Sequence, residues 1–200
     1  MIAGIDISEQ NGQIEWEKLD GRDIGYVYIK ASESTEKVDA MFNDNFQAAK
    51  RLGLLIGAYH WLNPALHVGQ QAALFIETVG DLNDMLVPAV VLENYHASGG
   101  ENEKFIRIFL DLIESRFGMR PVIYTSETYW NTYLPEAGWG CDYPLWIDKP
   151  GVIWPSQVWP WAGWAFWQNS YEAAIPGIPV NLGLNWFNGS KEELYNMVVQ

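Results

Sequence analysis

Short apolar runs alternate with longer amphipathic segments along the first two thirds of the chain. IAGIDIS (2–8) reads as a strand ending near Asp6, IGYVYIKAS (24–32) as a second ending at Lys30, and LLIGAYHW (54–61) as a third. VPAVVLE (87–93) is an apolar run suited to burial on both faces, and it stops abruptly at Glu93. RPVIYTS (120–126) completes a set of five. Between them, NDNFQAAKRLG (43–53) has helical spacing and a glycine stop, and HVGQQAALFIETVG (67–80) is also helical. In ENEKFIRIFLDLIESRFG (101–118), Phe105, Ile108, Phe109, Leu112, Ile113 and Phe117 are expected on one stripe. A short helix is expected over 127–133. After it the rhythm changes: YPLWID (143–148), GWAFWQ (163–168) and VNLGLNWF (180–187) read as strands with no useful helix between them. A last helix starts at the N-cap Ser190, with Glu193 three residues on and Leu194, Met197 and Val198 on one face.

Five strand–helix units in succession imply parallel strands. Eight strands in 200 residues imply a closed α/β, TIM-like barrel with few helices late in the chain. No repeat, linker or low-complexity segment divides it, so residues 1–200 are expected to form one domain. In such barrels the chemistry sits at the C-terminal strand ends. Here those ends carry Asp6, Lys30 with Glu33 just beyond, Tyr59 and His60, Glu93, Tyr124, Asp148, and Gln168 with Asn169. Nearly every strand therefore ends in a group that donates, accepts or carries charge.

Composition narrows the function. The net charge of −13 repels nucleic acid and gives no long-range attraction to an anionic wall. Eleven Trp, ten Tyr and eight Phe suit a large core and also clefts that stack on sugars. WPSQVWPWAGWAFW (154–167) holds five Trp and two Pro; it reads as a rigid loop with at least one Trp exposed. Cys141 is the sole cysteine, so no internal disulfide is possible. No second His or Cys stands at metal-ligand spacing, so no metal and no cofactor are expected. Neither a signal peptide nor a membrane-spanning segment is evident at the sequence level.

GIDISEQNGQIEW (4–16), YIKASEST (28–35), GAYHW (57–61), PAVVLE (88–93), PVIYTS (121–126), LWID (145–148), FWQ (166–168) and LGLNWFNG (182–189) together resemble glycoside hydrolase family 25, the Chalaropsis-type lysozymes, many of them phage-encoded. The resemblance runs in order along the whole chain. It implies a barrel that cleaves the β-1,4 bond after N-acetylmuramic acid in peptidoglycan, or in a related N-acetylhexosamine glycan. It also implies a monomer that acts on the cell wall after release. The family carries acids at four places: the Asp of an opening GxD, an Asp-x-Glu pair at the end of the fourth strand, and an Asp before a Leu-Asn in the last strand. This sequence matches with Asp6 and Glu93 and departs with Val91 and Gly183.

Glycoside hydrolysis usually needs an acid for the leaving oxygen and a second group to support the oxocarbenium-like centre. Glu93, at the mouth of an apolar strand, is the candidate acid, with pairing to Lys30 as the plain structural alternative. Asp6 is the first candidate for the assisting carboxylate and Asp148 the second; each is alternatively a turn residue. Lys30, Glu33, Tyr59, Trp61, Tyr124, Trp146, Asp148, Trp167 and Gln168 are candidate sugar-binding residues. Buried Tyr with satisfied hydroxyls and a core His60 are the competing readings. A barrel without catalysis that binds glycan or a protein partner is the rival function.

Overall fold

The computed structural model describes residues 1–19, 24–98 and 100–199. Among these residues nine strands form one sheet: β1 (Ile2–Ile7), β2 (Tyr26–Glu33), β3 (Lys37–Val38), β4 (Leu55–Trp61), β5 (Ala89–Leu92), β6 (Val122–Ser126), β7 (Leu145–Asp148), β8 (Phe166–Ala173) and β9 (Leu182–Phe187). All but the two-residue β3 close into an eight-stranded barrel, in the order β1-β9-β8-β7-β6-β5-β4-β2 and back to β1. β1, β2, β4, β5, β6, β7 and β8 run parallel around it, β9 runs antiparallel to both β8 and β1, and β3 pairs antiparallel with β2 outside it. The closed barrel with few late helices is as expected, and the Leu182 end of β9 joins the same rim as the C-terminal ends of the others.

Among the described residues there are five α-helices: α1 (Phe42–Arg51), α2 (Val68–Val79), α3 (Asn102–Phe117), α4 (Glu127–Tyr133) and α5 (Lys191–Tyr195). The second to fifth barrel strands are each followed by one of α1–α4, and α5 follows β9 at the end of the chain. The described part of the β1–β2 connection carries two 3-10 turns instead, so there are four strand–helix units rather than five. In α3 the buried stripe is Asn102, Ile106, Phe109, Leu110, Ile113 and Phe117, while Ile108 and Leu112 are exposed. The helix is apolar around more than half its girth. The set that docks follows the 3.6-residue repeat more closely than the expected one. Ser190 caps α5 in a reciprocal pair with Glu193, as expected.

Alternation along each strand decides what the barrel encloses. Tyr26, Tyr28, Trp146 and Phe166 fill the interior, with ring centroids 4.9–6.2 Å apart. Gly4 and Gly57 leave room for this packing: a Cβ on either would lie 2.3 or 2.2 Å from the Tyr26 or Tyr28 ring. Much of the aromatic content is thus barrel filling. Among the described residues no helix is long and apolar enough to cross a membrane.

Candidate active site

The inward series continues to the rim. Asp6, Tyr59, Trp61, Val91, Glu93, Tyr124, Trp146, Gln168 and Gly183 line one open cavity of about 270 Å³, joined by Tyr171, Asn181 and Leu182. Glu93 follows directly on the buried β5, and Asn94 then takes φ 63°, a conformation asparagine tolerates, so the chain turns away and leaves Glu93 at the mouth.

Asp6 sits in a fixed frame. Its Oδ1 accepts from Asn185 Nδ2 at 2.7 Å and Gln168 Nε2 at 3.0 Å. Trp146 Nε1 donates to Asn185 Oδ1 at 2.9 Å, and the Tyr124 hydroxyl donates to Gln168 Oε1 at 2.5 Å, which sets the direction of both amides. Burial pushes the Asp6 carboxyl up to about 6, against the pull of the Asn185 bond. Burial also raises Glu93, and the Asp148 and Asp6 carboxylates add to this. Among the described residues nothing hydrogen-bonds the Glu93 carboxylate and no cation pairs with it. Asp148 is raised chiefly by burial, opposed by the hydroxyls of Tyr171 and Tyr124. Tyr59 and Tyr124 are raised well above the usual phenol range by burial and remain neutral donors.

Lys30 and Glu33 do not line the cavity. The β2 strand bulges between Lys30 and Ser32, which brings Glu33 back to the side of Lys30. The buried Lys30 ammonium pairs with Glu33 Oε2 at 2.5 Å, so the expected alternative partner, Glu93, is left without it. Glu33 also accepts from the Tyr95 hydroxyl at 3.0 Å, and Lys30 lies 4.8 Å from the Trp61 ring centroid. The pair braces Trp61, whose Nε1 donates to the Glu93 carbonyl at 3.1 Å.

Trp167 and His60 have the opposite parity and face out of the barrel. Trp167 packs on Trp154 and Trp164 and donates to the Lys149 carbonyl, so it is not at the cavity. His60 stacks on Phe109, bridges Ser32 and Gln71, and is pulled down to about 4 by burial: a neutral core histidine. Trp146 is 1% exposed and forms the cavity floor rather than a stacking face. In the Trp-rich loop, Trp154 and Trp159 are exposed while Trp161 and Trp164 are buried, so the expectation of at least one exposed Trp holds. Tyr171, which donates to Asp148 Oδ1, and Asn185, which bridges Trp146 to Asp6, were missed as site residues. Strand parity would have found Asn185, two residues from Gly183; Tyr171 lies beyond the irregular register of β8 and gives no such signal. Among the described residues no three His, Cys, Asp or Glu side chains are grouped to hold a metal ion.

The chain is similar in sequence and in fold to known proteins. The uncharacterized protein YegX of Escherichia coli is 34% identical over 212 residues, spanning 98% of this chain and 73% of that protein. Lysozyme M1 of Streptomyces globisporus is 29% identical over 205 residues, 96% of this chain and 70% of that protein. The crystal structure of the bacterial lysozyme from Streptomyces coelicolor superposes with a TM-score of 0.91 at 27% identity, covering 98% of this chain and 96% of that one. The family profile of the glycosyl hydrolases family 25 matches residues 5–178. The profile match, the sequence relatives and the barrel together place the chain in glycosyl hydrolase family 25.

Proposed function

We propose that the protein is a lysozyme-type hydrolase that cleaves the β-1,4 bond after N-acetylmuramic acid in peptidoglycan, working as a monomer. The observation that carries this reading is a pair of carboxyls in one cavity with opposed surroundings. Both carboxyls are raised by burial, but the amide donors on Asp6 oppose the rise and favour its ionised form, whereas on Glu93 two neighbouring carboxylates add to the rise and, among the described residues, no donor opposes it. Opposed environments of this kind divide acid from base in glycosidases. Glu93 gives its proton to the leaving oxygen. Asp6, mainly ionised at pH 7, supports the positive charge at the anomeric centre or orients the substrate's own acetamido group. Trp61 offers the sugar ring a face and Tyr59 a hydroxyl donor, while the Tyr171 hydroxyl, whose hydrogen goes to Asp148, can accept from the sugar. The substrate places the site of action at the cell wall, reached after release from the cell in which the protein is made, as for a phage-type lysin.

Borohydride reduction of a peptidoglycan digest tests the bond assignment. Muramitol in the reduced fragments is the expected result; glucosaminitol alone, or no new reducing end, contradicts it. A second reading, a barrel that binds glycan without cleaving it, is favoured by one feature: Val91 presents an apolar, buried side chain in the cavity wall where the resemblance places an acid. Retention on insoluble wall material without release of reducing ends would support that reading.

A further inference from the structure

We infer that Gly183 is a positioning residue: the missing side chain at this point of β9 is what lets Gln168 clamp the Asp6 carboxylate. The inference rests on the hydrolytic role proposed for Asp6. Gly183 pairs directly with Asp6 across the β1–β9 ladder. A Cβ there would lie 2.1 Å from Asp6 Oδ1, 2.2 Å from Gln168 Nε2 and 2.9 Å from Asp6 Cγ. Its φ is not in the left-handed range, so backbone conformation does not call for glycine. Glycine inside a strand weakens it and marks a close approach of other groups. Here the group that approaches is the carboxylate itself.

The space is filled by a closed set of bonds. Tyr124 holds Gln168, Trp146 holds Asn185, and both amides converge on the same oxygen of Asp6. Oδ1 is thereby used up, and Oδ2 is left free of side-chain donors among the described residues. The carboxylate is fixed in rotation with one oxygen available to a substrate. It follows that a carboxylate at position 183, where the resemblance places one, and the present Asp6 carboxylate would claim the same volume. Gly183 is then not a gap in the machinery but the condition for Asp6 to stand where it does.

Gly183→Ala and Gly183→Asp test this in the full chain, with kcat and KM on purified peptidoglycan and the Asp6 carboxyl titration followed by carbon-13 NMR. The displaced atoms are side-chain ends, so Gly183→Ala is expected to fold with little change in Tm. Its kcat should fall about tenfold or more, since misplacing a reacting group by an ångström costs on the order of 10²-fold. KM should stay within about threefold. Asp6 should titrate above its wild-type midpoint, because Oδ1 moves off its donors. Gly183→Asp should be at least as slow. Wild-type kcat in either variant, or an unmoved Asp6 midpoint in Gly183→Ala, overturns the inference. Should Gly183→Ala not fold, Gln168→Leu carries the test: an Asp6 midpoint above wild type supports the clamp and an unchanged one refutes it. Wild-type protein that releases no reducing ends would defeat the hydrolytic reading, while the NMR midpoints would still decide whether Gly183 and Gln168 position Asp6.

Discussion

Asp6→Asn removes a charge from the cavity and keeps the shape of the side chain. Its carbonyl oxygen can still accept from Asn185 and Gln168, so the frame around it is preserved. What changes is the penalty for holding a carboxylate in a buried place. The native carboxyl is raised from 3.8 to about 6, so the unfolded chain loses this proton first as pH rises. Stability associated with the protonated form is complete below pH 3.8 and is lost as pH climbs through about 6. At about 1.4 kcal/mol per pH unit the interval amounts to about 3 kcal/mol, fully expressed above pH 7. Asparagine does not titrate and escapes this loss. The variant should match wild type near pH 3 and exceed it by up to about 3 kcal/mol at pH 7.5 in urea denaturation, while its activity falls by roughly 10²–10⁴. A variant no more stable than wild type at pH 7.5, with the fold intact, would refute the claim that Asp6 is held at a cost for the sake of chemistry.

Three further outcomes are expected. Val91→Asp places a carboxyl between Trp61 and Tyr124 in the cavity wall; kcat on peptidoglycan should rise by about tenfold or more, with about 1–3 kcal/mol lost from stability for the buried polar group. No gain in a folded variant would mean that the site works without a group at 91. His60, pulled down to about 4, should keep neutral-form NMR shifts to below pH 5; its stabilising effect is complete above 6.5 and is lost as pH falls toward 4, and a midpoint near 6.5 would contradict its burial. Tyr171→Phe removes a donor to Asp148, so the Asp148 carboxyl should titrate higher by NMR than in wild type; an unchanged midpoint would show that the hydroxyl does not serve it.

The strands were legible because each is a short apolar run with a polar end, and the end residues Asp6, Glu93, Tyr59, Tyr124 and Gln168 do meet in one cavity. What the runs alone did not separate was parity. Gln168 and Trp167 are adjacent in sequence, yet one reaches the cavity and the other packs outside, because side chains alternate along a strand. The same rule takes His60 to the helices and leaves Tyr59 at the mouth. Lys30 and Glu33 have a different cause: the bulge after Lys30 shifts the alternation by one and turns two candidate sugar ligands into a brace for Trp61. In α3, Ile108 and Leu112 are apolar without being buried, so hydrophobicity by itself overstated the docked face. The meaning of Gly183 was hidden for a simpler reason. A residue without a side chain shows its function only through what occupies the space beside it, and here that is Asp6 and Gln168.

The central claim is that Glu93 donates the proton in a glycosidic cleavage. The most direct measurement is the release of reducing ends from purified peptidoglycan by wild-type protein and by Glu93→Gln, with both shown to be folded. Glutamine keeps the size of the side chain and cannot give up a proton, and acid catalysis of this kind is worth roughly 10²–10⁴ in rate. Release by wild type that drops by that factor in Glu93→Gln is the predicted result. Equal release by the two proteins, or none from wild type across several wall types, would contradict it.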